Sequence, residues 1–385
     1  ISLGSEVRIR PSLPGKLTVK KIKKKIILFR KYISKNFFYI LYGQVDGVIK
    51  KNKNYKVSLV KFKDSKKYQI HSMKNTRVYF NKITDVAYIN NNKFIKNSSN
   101  QIREFKNSKY FINSVFRDGT PHFVKNIRGR VCSLLYSVSA TENYWHWMFD
   151  VLPKLAIFDK SIDLNKIDYF LFPEISKKFQ NESLNLLNIP NKKRLSAIKF
   201  NHILSDEVVS CDHPYIKTNM MKDQRRFPKW IGRWFKKIIT KNKIKRKAKL
   251  EKVFIDRGDS KNIKRSIVNE KELKKFLLKN SFKVVKLSKL SFREQISLFY
   301  NSKCIVGLHG AGFANIVFCR PKTKIIEIGT TKISNNIIYS LAKSNNLKYS
   351  CIFFKPVKKN IKNSKRHQDQ HIIVKTEKIK KALIN

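Results

Sequence analysis

Ser302-Lys303-Cys304-Ile305-Val306-Gly307-Leu308-His309-Gly310-Ala311-Gly312-Phe313-Ala314-Asn315 sets an apolar, β-branched run against a loop of small residues, and a helix is expected to leave that loop. Glycine and alanine leave backbone N–H groups uncovered there, so a bulky anion can approach closely. The N-terminus of the following helix adds partial positive charge. Two readings are open. One is a nucleotide or sugar-phosphate cradle at the carboxyl end of a strand; the other is a tight strand-to-helix turn with no ligand.

The surroundings of this loop repeat its texture. Strands are expected over residues 252–256, 282–287, 304–308, 324–328 and 349–354, with helices over 269–279, 291–301 and 335–344. Asn269 with Glu272, and Ser291 with Glu294, have the spacing of capping boxes. Strands and helices alternating in this way imply a parallel, doubly wound sheet, whose ligands bind beyond the carboxyl ends of the strands. Further upstream, alternating segments at 55–62, 76–80 and 86–89 read as strands, and residues up to about Ile112 as a β-rich extension. Val131–Tyr136 and Tyr169–Phe172 read as buried strands around an aromatic-rich helix near Trp145, and residues 228–239 as an amphipathic helix running into a basic linker. A chain of 385 residues exceeds one ordinary core. The expected division is 1–112 as a β-rich extension, 113–245 and 246–355 as two further domains, and 356–385 as a tail with a short strand and helix.

Lys and Arg number 84 against 26 Asp and Glu, a formal net charge of +58. Lysine occurs here with abundant Asn and Ile, a mixture that a strongly AT-biased genome also produces. The charge favours acidic partners without choosing among nucleotides, anionic lipid and nucleic acid. Its densest runs, Lys20 to Lys25 and Lys236 to Lys252, read as solvated helix faces or linkers. Five scattered cysteines without a CxxC pair fit a reducing compartment, and no apolar run is long enough to span a bilayer. With no signal peptide at the start, the expected location is cytoplasmic, with peripheral contact at the inner face of a membrane.

Three groups of residues carry chemistry. Arg257 closes a strand and Arg265 lies before the next helix, so both fall on the sheet edge that carries His309, Gly310, Ala311 and Gly312. Two guanidiniums there can clamp a diphosphate; a pair of ordinary surface arginines is the bland reading. Glu327 ends a neighbouring strand, where a carboxylate can accept ribose hydroxyls or pair with a lysine. In Asn143-Tyr144-Trp145-His146-Trp147-Met148-Phe149-Asp150, His146 and Asp150 stand one helical turn apart. Either His146 is a general base oriented by Asp150, or Asp150 takes the proton itself, or the histidine is packed in an aromatic core. Trp145 and Trp147 offer flat surfaces of the kind sugars stack on. Asp256 with Asp259 reads as loop capping rather than a metal pair, and His367, Asp369 and His371 as an exposed turn; no metal is assigned to either.

Taken together, Asn143 to Lys154, Phe254-Ile255-Asp256-Arg257 with Arg265, and Val306 to Asn315 resemble glycosyltransferase family 61 in order and separation, over roughly Thr76 to Ile328. The resemblance implies a GT-B architecture, two Rossmann-like domains facing a cleft. It also implies an inverting, metal-independent transfer from a nucleotide sugar, UDP-linked by expectation, to a glycan hydroxyl, with no further cofactor. On the matching positions it implies donor contacts from Arg257, Arg265, His309, Gly310, Ala311, Gly312 and Glu327. His146 and Asp150 fall to catalysis, and Asn143, Trp145 and Trp147 to the acceptor side. A polysaccharide or lipid-linked oligosaccharide is the expected acceptor. Three rivals are a basic nucleic-acid-binding protein, a nucleotide-dependent oxidoreductase and a non-catalytic sugar-nucleotide binder. The first needs exposed aromatics among its basic residues, whereas the aromatics here concentrate in strands and in the His146 segment; no specific nucleic acid is expected. The second lacks a GxGxxG opening its first βαβ unit.

Overall fold

The computed structural model describes residues 14–49, 53–63, 67–81, 85–101, 113–135, 142–215, 227–258, 265–330, 337–357 and 371–384. Ten strands form one mixed sheet: β1 (Val48–Ile49), β2 (Tyr55–Lys61), β3 (Lys67–Phe80), β4 (Asp85–Asn90), β5 (Lys93–Ile95), β6 (Asn100–Gln101), β7 (Lys125–Ser133), β8 (Tyr169–Phe172), β9 (Arg194–Ser196) and β10 (His202–Cys211). Five more form an all-parallel sheet: β11 (Glu251–Asp256), β12 (Phe282–Lys286), β13 (Ser302–Leu308), β14 (Lys324–Thr330) and β15 (Lys348–Phe354).

The parallel sheet runs β12-β11-β13-β14-β15. Its central strands are covered on both faces, so they read as unbroken apolar runs, such as Val253-Phe254-Ile255 and Ile305-Val306. Chain order reverses between β11 and β13, and the crevice at such a switch point is where doubly wound sheets hold ligands. The loops leaving these two strands are the ones that carry Arg257 and His309 to Gly312. A capping box forms at Ser291, which accepts from the Glu294 N–H and receives the Glu294 carboxylate on its own N–H. The second expected box does not form at Asn269. Its side chain instead accepts from the Val374 N–H, 2.9 Å away, and donates to the Val374 carbonyl, tying the C-terminal segment to the sheet.

In the mixed sheet, β10, β7, β8 and β9 are mutually parallel, and β3 pairs antiparallel with β10 over nine residue pairs from Ile70 to Tyr79. The strands expected in an N-terminal extension therefore lie in the same sheet as β7 to β10. A second departure precedes them: Pro14–Tyr42 is one helix, α1, rather than strands. Apolar residues at Val19, Ile22, Ile26, Phe29 and Ile33 recur at the 3–4 spacing of a helix. The end of α1 is rooted, with Phe38 against Phe123 and the Val124 N–H donating to the Tyr42 hydroxyl.

The two sheets share one apolar core. A file of rings joins them, from Phe149 to Phe235 (centroids 5.9 Å apart), on to Phe318 (5.5 Å) and to Phe292 (5.9 Å). Beside it the Tyr144 hydroxyl donates to Asn315 Oδ1 at 2.6 Å, and the Asn315 amide donates to Gln295. The segment bearing His146 and the segment leaving the glycine loop are thus packed on each other. No helix among the described residues is long and apolar enough to cross a membrane. All five cysteines are unpaired.

Candidate active site

A cleft of about 570 Å³ opens at the carboxyl ends of β11 and β13. One wall is Asp256, Arg257, Arg265, Gly310, Ala311 and Gly312; Asn143, Tyr144 and Lys177 stand on the other.

Beyond Leu308 the chain turns through His309 and Gly310 into a 3₁₀ helix, Ala311–Phe318. The first N–H groups of such a helix have no partner within it, which leaves those of Ala311 and Gly312 at the cleft wall. Arg257 Nη1 donates to the His309 carbonyl, and Arg265 Nη1 donates to the same oxygen at 3.0 Å. The two arginines therefore converge as their positions at the sheet edge imply. Gly310 makes room for them, because a side chain there would run into the Arg257 guanidinium. Asp256 caps its loop, accepting from the Gly258 N–H at 2.7 Å and pairing with Lys274 at 2.9 Å. Burial works against the charge, but the Gly258 and Lys274 groups outweigh it and hold the Asp256 carboxyl below its ordinary value. Asp259 lies outside the described residues.

Glu327 does not face the cleft. It is buried, with one oxygen on His309 Nδ1 and the other accepting from the Tyr349 hydroxyl at 2.5 Å. Burial and the neighbouring Glu327 charge push the Tyr349 phenol far above its usual range. Both carboxylate oxygens are engaged within the protein, and Glu327 orients His309.

Across the cleft, Asn143 caps the next segment by accepting from the Trp145 N–H at 2.9 Å. A short α-helical turn, Tyr144–His146, passes into a π-helical turn, Trp147–Val151. Within it His146 Nδ1 lies 2.7 Å from Asp150 Oδ2. The His146 side chain is 23% exposed and that of Asp150 only 2%. Asp150 Oδ1 accepts from the Tyr215 hydroxyl at 2.8 Å and lies 3.4 Å from His213 Nε2. Burial works against both charges of the pair. For His146 the charge and hydrogen bond of Asp150 prevail, and its pKa stands above the ordinary imidazole value. For Asp150, His146 and His213 prevail, and the carboxyl is held well below the carboxylate range. Burial lowers the pKa of His213. A buried carboxylate so engaged is a poor proton acceptor, whereas the partly exposed imidazole above it is a good one.

Trp145 and Trp147 are not stacking surfaces. Trp147 is fully buried against Phe172, its indole N–H donating to Ser183 at 2.9 Å, and Trp145 is buried against Phe149. Both indoles belong to the aromatic core, and His146 stands beside them with its side chain 23% exposed. His371 meets Ser266 at 2.6 Å, while His367 and Asp369 lie outside the described residues.

Some contributors carry no local signal. His213 and Tyr215 follow β10, more than sixty residues beyond Asp150, and only the sheet brings them together. Lys154 is buried as well, its ammonium donating to the Leu135 carbonyl at 2.5 Å, and burial lowers its pKa. Sequence could have drawn attention to Lys154, since a lysine at the core-facing position after Pro153 breaks an apolar run.

Among known families, the model described as Glycosyltransferase 61 matches residues 144–326, a span that opens two residues before His146 and closes at the residue before Glu327. The strands upstream, from Thr76 onward, lie outside the match. No curated protein matches the chain.

Proposed function

We propose, for a chain whose residues 144–326 place it in glycosyltransferase family 61, an inverting transfer of a sugar from a nucleoside-diphosphate donor to a glycan hydroxyl. One observation carries this reading: Arg257, Arg265 and the Ala311–Gly312 turn meet at the β11/β13 switch point, with Asn143 and Tyr144, which lead into His146, across the cleft. The two units would then act as the halves of a GT-B enzyme, residues 246–355 holding the donor and residues 113–245 serving the acceptor.

In the proposed step, the acceptor oxygen attacks the anomeric carbon from the face opposite the diphosphate. The new C–O bond forms as the bond to the phosphate oxygen breaks, and the acceptor proton passes to His146. Asp150 fixes the tautomer of His146 and stabilises the imidazolium that forms. Negative charge grows on the departing diphosphate, where two guanidiniums and the helix N-terminus are already in place, so no solvent need reorganise around it. Fixed cations of this kind make a metal dispensable in this scheme. Screening nucleoside diphosphates and their sugars by thermal unfolding tests it, because a ligand of the native state raises the midpoint in proportion to its affinity. Stabilisation by a nucleoside diphosphate supports the reading; no stabilisation by any of them removes it.

A further inference from the structure

We infer that α1 is an in-plane anchor for an anionic bilayer surface. Val19, Ile22, Ile26, Phe29, Ile33 and Ile40 form a stripe along one side of the helix, each at least 48% exposed. The helix carries nine Lys and Arg residues and no Asp or Glu. Lys21, Lys24, Lys31 and Lys35 fall on the side opposite the stripe, interspersed with exposed Ile27 and Leu28, where the ammonium groups can meet headgroups while the stripe enters the acyl boundary. At 29 residues the helix is roughly 43 Å long. It falls short of the apolarity needed to span the membrane.

A second copy of the chain is the other occupant such a stripe admits. Pairing two of these helices would set nine positive charges beside nine more with no acidic residue on either to answer them. An anionic lipid surface answers both the stripe and the charge. The position of the root suits this. Phe123, Val124 and His202, which hold the end of α1, lie at the starts of β7 and β10, whereas the Asp150 cluster lies beyond their carboxyl ends. The sheet thus separates the anchor from the cleft.

Co-sedimentation of the full chain with vesicles tests this, using phosphatidylcholine alone and phosphatidylcholine containing phosphatidylglycerol. The expected result is binding to the second and not the first, falling steeply with added salt. The combined variant Ile22→Ser, Ile26→Ser, Phe29→Ser and Ile33→Ser should lose at least about tenfold in partitioning, since both contributions are needed for stable attachment. Its thermal midpoint should be unchanged, because these side chains face solvent. Equal binding to both vesicles, no loss in the serine variant, or conversion of a dimer to a monomer by that variant would each overturn the inference. Retention of the wild-type chain on single-stranded RNA with no binding to either vesicle would do the same.

Discussion

His146 Nδ1 lies 2.7 Å from the Oδ2 of Asp150, a carboxylate that is itself buried and held on its other oxygen by Tyr215. The pair has one accessible member, so in the proposed transfer the imidazole takes the acceptor proton and the carboxylate stays ionised beneath it.

Replacing His146 by Ala should lower kcat by roughly 10²–10⁴-fold, the usual range for disabling a general base, while the thermal shift produced by a bound nucleoside diphosphate persists. Equal loss of both would mean that the substitution had damaged the fold rather than the chemistry.

The same pair sets a pH dependence. The base must be neutral, and Asp150 raises the His146 pKa above 6.5, so kcat/KM should rise with pH through a midpoint above that value. In Asp150→Asn the raising influence is gone and burial alone remains, which moves the midpoint downward. For stability the signs differ. The depressed Asp150 pKa contributes stability that is full above about pH 3.8 and lost as pH falls further. The raised His146 pKa contributes stability that is full below 6.5 and lost as pH rises through the folded value. Urea denaturation at several pH values checks both limbs.

Gly310→Ala should weaken donor turnover without touching the base, because the added methyl displaces the Arg257 guanidinium from the His309 carbonyl. Overpacking of this sort costs about 1–3 kcal/mol when the neighbour cannot yield. Arg257 is a flexible side chain, so the effect should be read chiefly in the donor KM and kcat, with a small change in midpoint.

Glu327→Ala separates two roles for that carboxylate. Leaving His309 and Tyr349 without their shared buried acceptor should cost about 1–3 kcal/mol of stability by urea denaturation. A residue that contacted ribose would instead raise the donor KM and leave stability alone.

Much of the parallel sheet was readable because its central strands β11, β13 and β14 are buried on both faces. The apolar runs then mark the strands directly, and Arg257, Arg265 and His309 fall on one edge by topology alone. Where local pattern stopped being enough, partners distant in sequence decided the outcome. Asn269 has the spacing of a cap but is taken by Val374, 105 residues away. Trp147 beside a histidine looks the same whether it lies on a sugar site or in a core, and Ser183 and Phe172 settle the matter. Glu327 lies within β14, beside the strand that feeds the glycine loop, and its side chain goes to His309 and to Tyr349 on the next strand. In α1, the dense lysines hide a stripe that is apparent only when the residues are laid out at helical spacing.

Whether the β11/β13 crevice holds the diphosphate of a nucleotide sugar is decided by calorimetric titration with UDP and UMP. UDP should bind the wild-type chain more tightly than UMP, and Arg257→Ala and Arg265→Ala should each weaken UDP by about 1.5–3 kcal/mol, the worth of a hydrogen bond to a charged group, while leaving UMP nearly unchanged. Equal affinities for UDP and UMP, or full UDP affinity in both arginine variants, would be incompatible with a diphosphate site there.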